Sequence, residues 1–183
     1  MKNRKANKTA GALKELLGMS IYLLVIIAGT LLIRTFVFER SLVVGQSMEP
    51  TLYDGENLLI EKISHKAGLL KRFDIIVFDH GNEFLIKRIY GLPGESIRID
   101  DTGLIYVNEK VIDDKYAYSI MEDQGIAKDS GITLKDDEYF VLGDNRNHST
   151  DSRYREVGPV REDKIRGKVF FRLYPFGRMG TIK

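Results

Sequence analysis

Ser47, in the segment Gly45-Gln46-Ser47-Met48-Glu49-Pro50-Thr51-Leu52, and Lys87, in Phe84-Leu85-Ile86-Lys87-Arg88-Ile89-Tyr90, are the side chains best suited to act on each other. A serine hydroxyl is a weak nucleophile until a neighbouring base takes its proton. Lysine can be that base only if its amine is neutral near pH 7, which requires burial that depresses its pKa. Period-two alternation along a strand puts Leu85, Lys87 and Ile89 on one face and Phe84, Ile86, Arg88 and Tyr90 on the other, so Lys87 has apolar neighbours on its own face. The same pattern fits a lysine at a sheet edge with its head in water, and on alternation alone that is the commoner case.

Other chemistries are thinly represented. The chain has no cysteine, which removes disulfides, thiolate nucleophiles and cysteine metal sites, and leaves an exported domain to be stable through packing alone. Of the three histidines, His148 lies beside Ser149 and near Asp151 and invites a Ser-His-Asp reading with Ser47. A histidine in a polar loop is more often solvated or bonded within the loop, and that reading is set aside. His65 and His80 fall in expected loops with acidic residues scattered around them, so neither a metal nor another cofactor is expected. A net charge of +2, part of it in the first 14 residues, gives no sign of a nucleic-acid-binding surface.

The elements that must position Ser47 begin with an apolar run from Leu16 to Ile33, interrupted only by Gly18, Ser20, Gly29 and Thr30 and free of charge. As a helix it covers about 27 Å, close to the ~30 Å hydrocarbon core of a bilayer. Arg34 ends the uncharged run, with a side chain long enough to snorkel to the headgroups. Lys2, Arg4, Lys5, Lys8 and Lys14 precede the span, which the positive-inside tendency keeps in the cytoplasm. A cleavable signal peptide has a shorter apolar region ending in a small-residue cleavage site. This run continues instead into Phe36-Val37-Phe38-Glu39-Arg40, so an uncleaved single-pass anchor is favoured over that and over a buried core helix.

Beyond the anchor, apolar residues come in short runs separated by turn signals, a β-rich pattern. Strands are expected near Ser41 to Val44, Asn57 to Ile63, Asp74 to Phe78, Phe84 to Tyr90, Ser96 to Asp100, Leu104 to Val107, Glu138 to Leu142 and Lys168 to Tyr174. Asp101-Thr102-Gly103 and Asn108-Glu109 have hairpin-turn chemistry and make residues 96–112 a small meander, while the acidic stretch 113–137 reads as a loop-rich excursion. The expected organisation is a basic tail (1–14), a transmembrane helix (15–38) and an extracytoplasmic, mainly β domain (39–183). That domain is an antiparallel β-sheet with a small inserted β lobe at about 95–137.

Four segments occur in order behind this anchor: Ser47-Met48-x-Pro50-Thr51, Arg72-x-Asp74-Ile75-x-Val77-Phe78, Lys87-Arg88-x-x-Gly91-x-Pro93-Gly94, and Gly143-Asp144-Asn145-Arg146-x-x-Ser149-x-Asp151-Ser152-Arg153. Together they resemble type I signal peptidases, in the short bacterial form typical of Gram-positive organisms: membrane-bound serine endopeptidases that remove signal peptides from exported preproteins. The resemblance implies that Ser47 is the nucleophile and Lys87 the general base of a Ser-Lys dyad, a known variant of triad logic. It implies that the Ser149 hydroxyl bonds and orients Lys87, that Asp144 pairs with Arg88, and that Asp151 pairs with Arg153, with Arg146 also part of the scaffold. Some relatives carry a serine oxyanion donor two residues before the nucleophile, where this chain has Gly45, so another donor must serve beside the Ser47 N–H.

The implied substrates are secretory preproteins at the bacterial cell membrane, bound as an added strand and cut after small residues of Ala-x-Ala type. Leu42, Val43 and Met48 are candidates for the pocket or for membrane contact, with the core as the alternative and the favoured one for Leu42. The aromatic run Phe170, Phe171, Leu173, Tyr174 and Phe176 fits either a headgroup-level contact with the lipid bilayer or a terminal core strand. Proximity to the export translocon is left open. Two other classes compete: a self-cleaving repressor should carry a DNA-binding helical domain where the anchor stands, and a membrane-anchored binding module would need neither Ser47 nor Lys87.

Overall fold

The computed structural model describes residues 2–128 and 130–182, and within these the side chains of residues 2–13, 34 and 35 are outside the description. The basic residues Lys2, Arg4, Lys5 and Lys8, and the snorkelling Arg34, therefore lie outside the described side chains. Two compact units divide the chain after Phe38. The first is a single helix, α1 (Lys2–Phe36), whose segment Lys14–Ile33 is long and apolar enough to cross a membrane. Its apolar side chains, Tyr22 and Leu24 among them, are exposed rather than packed on protein, as a single-pass membrane anchor requires.

The second unit is mainly β, and among its described residues twelve strands form two sheets. The strands of the larger sheet are β1 (Phe38–Leu42), β2 (Asn57–Glu61), β3 (Ile75–His80), β4 (Glu83–Gly91), β9 (Glu138–Leu142), β10 (Val160–Arg161) and β11 (Ile165–Tyr174), with β12 (Gly180–Thr181) paired to β11. Their spatial order is β1-β2-β11-β3-β4-β9-β10. The smaller sheet is built from β5 (Ser96–Ile99), β6 (Ile105–Val107), β7 (Lys110–Val111) and β8 (Ile132–Thr133), ordered β7-β6-β5-β8. All the pairings with a defined ladder register are antiparallel.

Turn chemistry fixes the registers that matter. Gly81 at φ +59° opens the two-residue turn joining β3 to β4, which pairs His80 with Glu83 and, four and five ladder steps further along, Ile76 with Lys87 and Ile75 with Arg88. Asn108 and Glu109 both adopt positive φ between β6 and β7, as a type I′ hairpin needs. The first strand ends at Leu42 rather than at Val44, because Gly45 at φ +87° and the turn that follows take the chain out of the ladder. In the acidic excursion, Ile132 and Thr133 form β8 by pairing with Ile97 and Ser96, a two-residue ladder too short to show a period.

One core cluster joins Val43, Met48, Leu52, Leu58, Ile60, Ile75, Val77, Ile86 and Val169. Met48 and Leu52, fully buried and both just past Ser47 in the chain, fasten its turn to the sheet, and burying each such side chain contributes about 1.5–3 kcal/mol. A second cluster, including Ile76, Phe78, Ile89 and Val141, packs with Leu85, so β3 and β4 are covered on both faces. This double cover makes β4 a near-continuous apolar run in which a lysine is conspicuous.

Candidate active site

Ser47 and Lys87, forty residues apart in sequence, meet with 2.6 Å between Ser47 Oγ and Lys87 Nζ. The register explains the approach. Arg88 pairs with Leu142 at the end of β9, so continuing that ladder sets Gly143 opposite Lys87, and the backbone of the nucleophile turn lies against Gly143. A β-carbon on Gly143 would fall 2.5 Å from the Ser47 carbonyl oxygen and 2.2 Å from Ser149 Oγ, so only glycine permits this approach. Lys87 is 3% exposed, which rules out an edge lysine with its head in water. Burial, opposed by the charges of Asp151 and Asp144, lowers its pKa to about 8.

The loop after β9 is held by buried ion pairs. Arg88 Nε and Nη2 donate to Asp144 Oδ1 and Oδ2 at 2.9 and 2.7 Å, a bidentate pair sealed from solvent and stacked under the ring of Tyr116. Thr51, four residues past the nucleophile, donates its hydroxyl to the same carboxylate at 2.6 Å. Asp151 accepts from Gly143 N–H (3.0 Å), from Arg153 Nε (2.8 Å) and from the Ser149 hydroxyl (2.8 Å). The Ser149 hydroxyl, expected to orient Lys87, spends its proton on the buried Asp151 carboxylate and keeps its lone pairs as acceptors. His148 turns its Nδ1 to Asn145 Oδ1 at 3.3 Å, and Ser47 has Lys87 as its side-chain partner.

Gly45 adopts φ +87° with open space where a side chain would stand, so glycine is required by backbone conformation rather than by crowding. Its N–H is committed to Asp54 Oδ1 at 2.8 Å. The pocket candidates separate. Leu42, expected in the core, is 54% exposed and lines a groove of about 470 Å³ with Arg40, Val44, Ile60, Phe84 and Ile86. Val43 and Met48 are buried in the core cluster and do not line the groove, because the alternation of β1 that turns Leu42 outward turns its neighbour inward.

Several contributors have no signal in their own segments. Asp114, in the acidic excursion, binds Arg146 through both guanidinium nitrogens and accepts the Tyr90 hydroxyl, linking the smaller sheet's loops to the Gly143 loop. Glu56, Arg172 and Arg178 tie the end of the chain to the nucleophile turn: Arg172 and Arg178 both contact Glu56, and Arg172 Nη2 donates to the Thr51 carbonyl at 2.6 Å.

Residues 14–174 match the family model described as signal peptidase, peptidase S26. The chain is 38% identical over 177 residues to signal peptidase I T of Bacillus subtilis, covering 91% of this chain and 88% of that protein. With signal peptidase I of Bacillus licheniformis it shares 38% identity over 160 residues, 81% of this chain and 83% of the relative. A crystal structure of a signal peptidase I from Enterococcus faecalis matches with 30% identity and a TM-score of 0.44, over 54% of this chain and 95% of that one. A serine paired with a buried amine within a β domain thus occurs in a chain that matches one family over nearly its whole length, and the chain belongs to the S26 signal peptidases, serine endopeptidases.

Proposed function

We propose that the protein removes N-terminal signal peptides from secretory preproteins, with Ser47 as nucleophile and Lys87 as general base. The observation that carries this reading is the 2.6 Å contact between a half-exposed serine hydroxyl and a buried amine whose pKa is lowered to about 8. Neutral Lys87 takes the hydroxyl proton as Ser47 Oγ attacks the scissile carbonyl, then passes it to the departing amine of the mature chain. The acyl group left on Ser47 is hydrolysed by a water that Lys87 deprotonates, which restores the free enzyme. Asp144–Arg88 and Asp151–Arg153 hold the scaffold around this pair, and the Ser47 N–H serves the developing oxyanion.

Substrate geometry follows from the sheet. On the side away from β3, β4 pairs with β9 only from Arg88 onward and faces Gly143 at Lys87, so residues 83–86 keep a free ladder edge among the described residues, and β1 borders the same groove. An extended cleavage region can add there as a strand, with Leu42, Phe84 and Ile86 offering shallow apolar contact suited to small side chains of Ala-x-Ala type. The anchor is read as residues 15–38, the peptidase domain as 39–183 with its lobe at about 95–137. The basic tail is placed in the cytoplasm and the domain outside, at the bacterial cell membrane. The exposed rings of Tyr174 and Phe176, packed edge to face at 5.7 Å, suit headgroup contact.

The test is direct: detergent-solubilised protein should cleave a preprotein after an Ala-x-Ala site, and Ser47→Ala should leave it uncut. Cleavage by the alanine variant at the wild-type rate would refute the assignment. Gly143→Ala is expected to lower the processing rate about 10²-fold, because its methyl group displaces the Ser47 carbonyl and with it the 2.6 Å contact. Initial rates on one preprotein, beside a thermal melt showing a folded variant, check this.

A further inference from the structure

We propose that Asn145 is the positioning residue of the oxyanion hole, holding the Gln46–Ser47 peptide so that the Ser47 N–H points at the developing negative charge. This rests on the reading of Ser47 as nucleophile. Ser47 lies in a turn closed by the Glu49 N–H donating to the Gln46 carbonyl at 3.1 Å, and the Ser47 N–H inside that turn donates to no acceptor among the described residues. A half-buried, unspent amide donor on the nucleophile itself is what an oxyanion hole requires. The preceding candidate amide, Gly45 N–H, is already spent on Asp54.

A trans peptide is planar, with its C=O and N–H on opposite sides, so whatever fixes the Gln46 carbonyl also aims the Ser47 N–H. Asn145 does this from ninety-nine residues away. Its Nδ2 donates to the Gln46 carbonyl at 3.2 Å, and its backbone N–H donates to the Ser47 carbonyl at 3.0 Å, so one residue grips the peptide groups on both sides of the Ser47 α-carbon. Asn145 is 5% exposed, and its Oδ1 faces His148 Nδ1 at 3.3 Å, which leaves Nδ2 directed at the turn. The loop that carries it is fixed by the neighbouring Asp144–Arg88 pair and by Arg146 Nε donating to the Gly143 carbonyl at 3.0 Å.

Asn145→Asp tests the idea in the full, detergent-solubilised chain, since it preserves size and the backbone grip while replacing the donor by an acceptor. Three readouts are taken: kcat and KM on a signal-peptide-derived peptide, the pH profile, and affinities for a peptide aldehyde and the matching peptide amide. On binding, the aldehyde carbon bonds Ser47 Oγ, whose proton passes to Lys87, and its oxygen becomes the alkoxide in the hole. The expected result is a fall of about 10²-fold in kcat and in aldehyde affinity, with KM and amide affinity within about twofold of wild type, while the added carboxylate, like Asp151 and Asp144, holds the Lys87 proton and moves the acid limb to higher pH. Wild-type kcat, or equal weakening of aldehyde and amide, overturns the inference. If the aspartate variant does not fold, Asn145→Ala, which adds no charge, must give the same losses in kcat and aldehyde affinity with the acid limb in place, or the inference falls. Ser47→Ala runs beside them: if it cleaves, the nucleophile assignment itself fails, whereas an inactive Ser47→Ala with a fully active Asn145→Asp removes only the role given to Asn145.

Discussion

Replacing Lys87 by methionine is expected to lower preprotein processing by about 10⁴-fold or more while making the folded domain more stable. The loss of rate follows from removing the base that Ser47 touches at 2.6 Å, since no other basic side chain among the described residues contacts that hydroxyl. The gain in stability follows from the cost of keeping an amine 3% exposed. Its pKa is about 8 in the folded protein against an ordinary 10.5, a gap worth on the order of 3 kcal/mol at 1.36 kcal/mol per pH unit. Above pH 10.5 the amine is neutral whether the chain is folded or not, and the cost is absent. As pH falls from 10.5 to about 8 the unfolded chain takes up the proton first, so wild-type stability declines, and below about 8 the full cost is present. Thermal melts of the two proteins should therefore differ most at neutral pH and converge as the pH is raised through that window. Wild-type kcat/KM should rise along an acid limb centred near 8 as Lys87 loses its proton. An acid limb that follows a histidine and vanishes in His148→Ala would refute Lys87 as the base.

The elements that carry this pair were legible because their signals are local and periodic. Alternation and β-branched residues mark β3 and β4, and the apolar run marks α1. The eight expected strands are all present, Glu138–Leu142 with the expected ends and the others with shifted ones, and the unexpected ladders, such as Val160–Arg161 and Gly180–Thr181, have two residues each and no period to detect. The site divides in the same way. Ser47 and Lys87 stand in segments whose residue types announce chemistry, whereas the partner of Ser149, the grip of Asn145 and the link from Arg172 to Thr51 depend on where loops run in space. Leu42 shows the limit from the other side: an apolar residue in a short strand reads as core, and only the course of β1 along the groove turns it outward.

Asp151→Asn separates a scaffold role from a catalytic one, and the expected result is a less stable enzyme whose acid limb moves to lower pH. The carboxylate accepts three kinds of donor at once, from Gly143 N–H, Ser149 and Arg153, and both it and Arg153 are sealed from solvent. An asparagine offers one acceptor oxygen and no charge, so the buried Arg153 guanidinium loses its compensation. Breaking such a pair from one side costs about 3–5 kcal/mol. The effect on Lys87 has a definite sign. Burial lowers its pKa most, the Asp151 charge pushes it back up, and the Arg153 charge adds to the lowering. Without Asp151 the upward push is lost while Arg153 remains, so the amine sheds its proton more readily and kcat/KM reaches half its plateau below the wild-type pH of about 8. The plateau itself should fall, because Gly143 and Ser149, which wall the Ser47 carbonyl, lose their shared acceptor. A carboxylate that itself moved the proton would leave the opposite signature: activity lost at every pH, with no acid limb to displace. Measured together, the melt and the pH profile decide between these, since only the scaffold role predicts a surviving activity that is displaced toward acid in a protein that melts earlier.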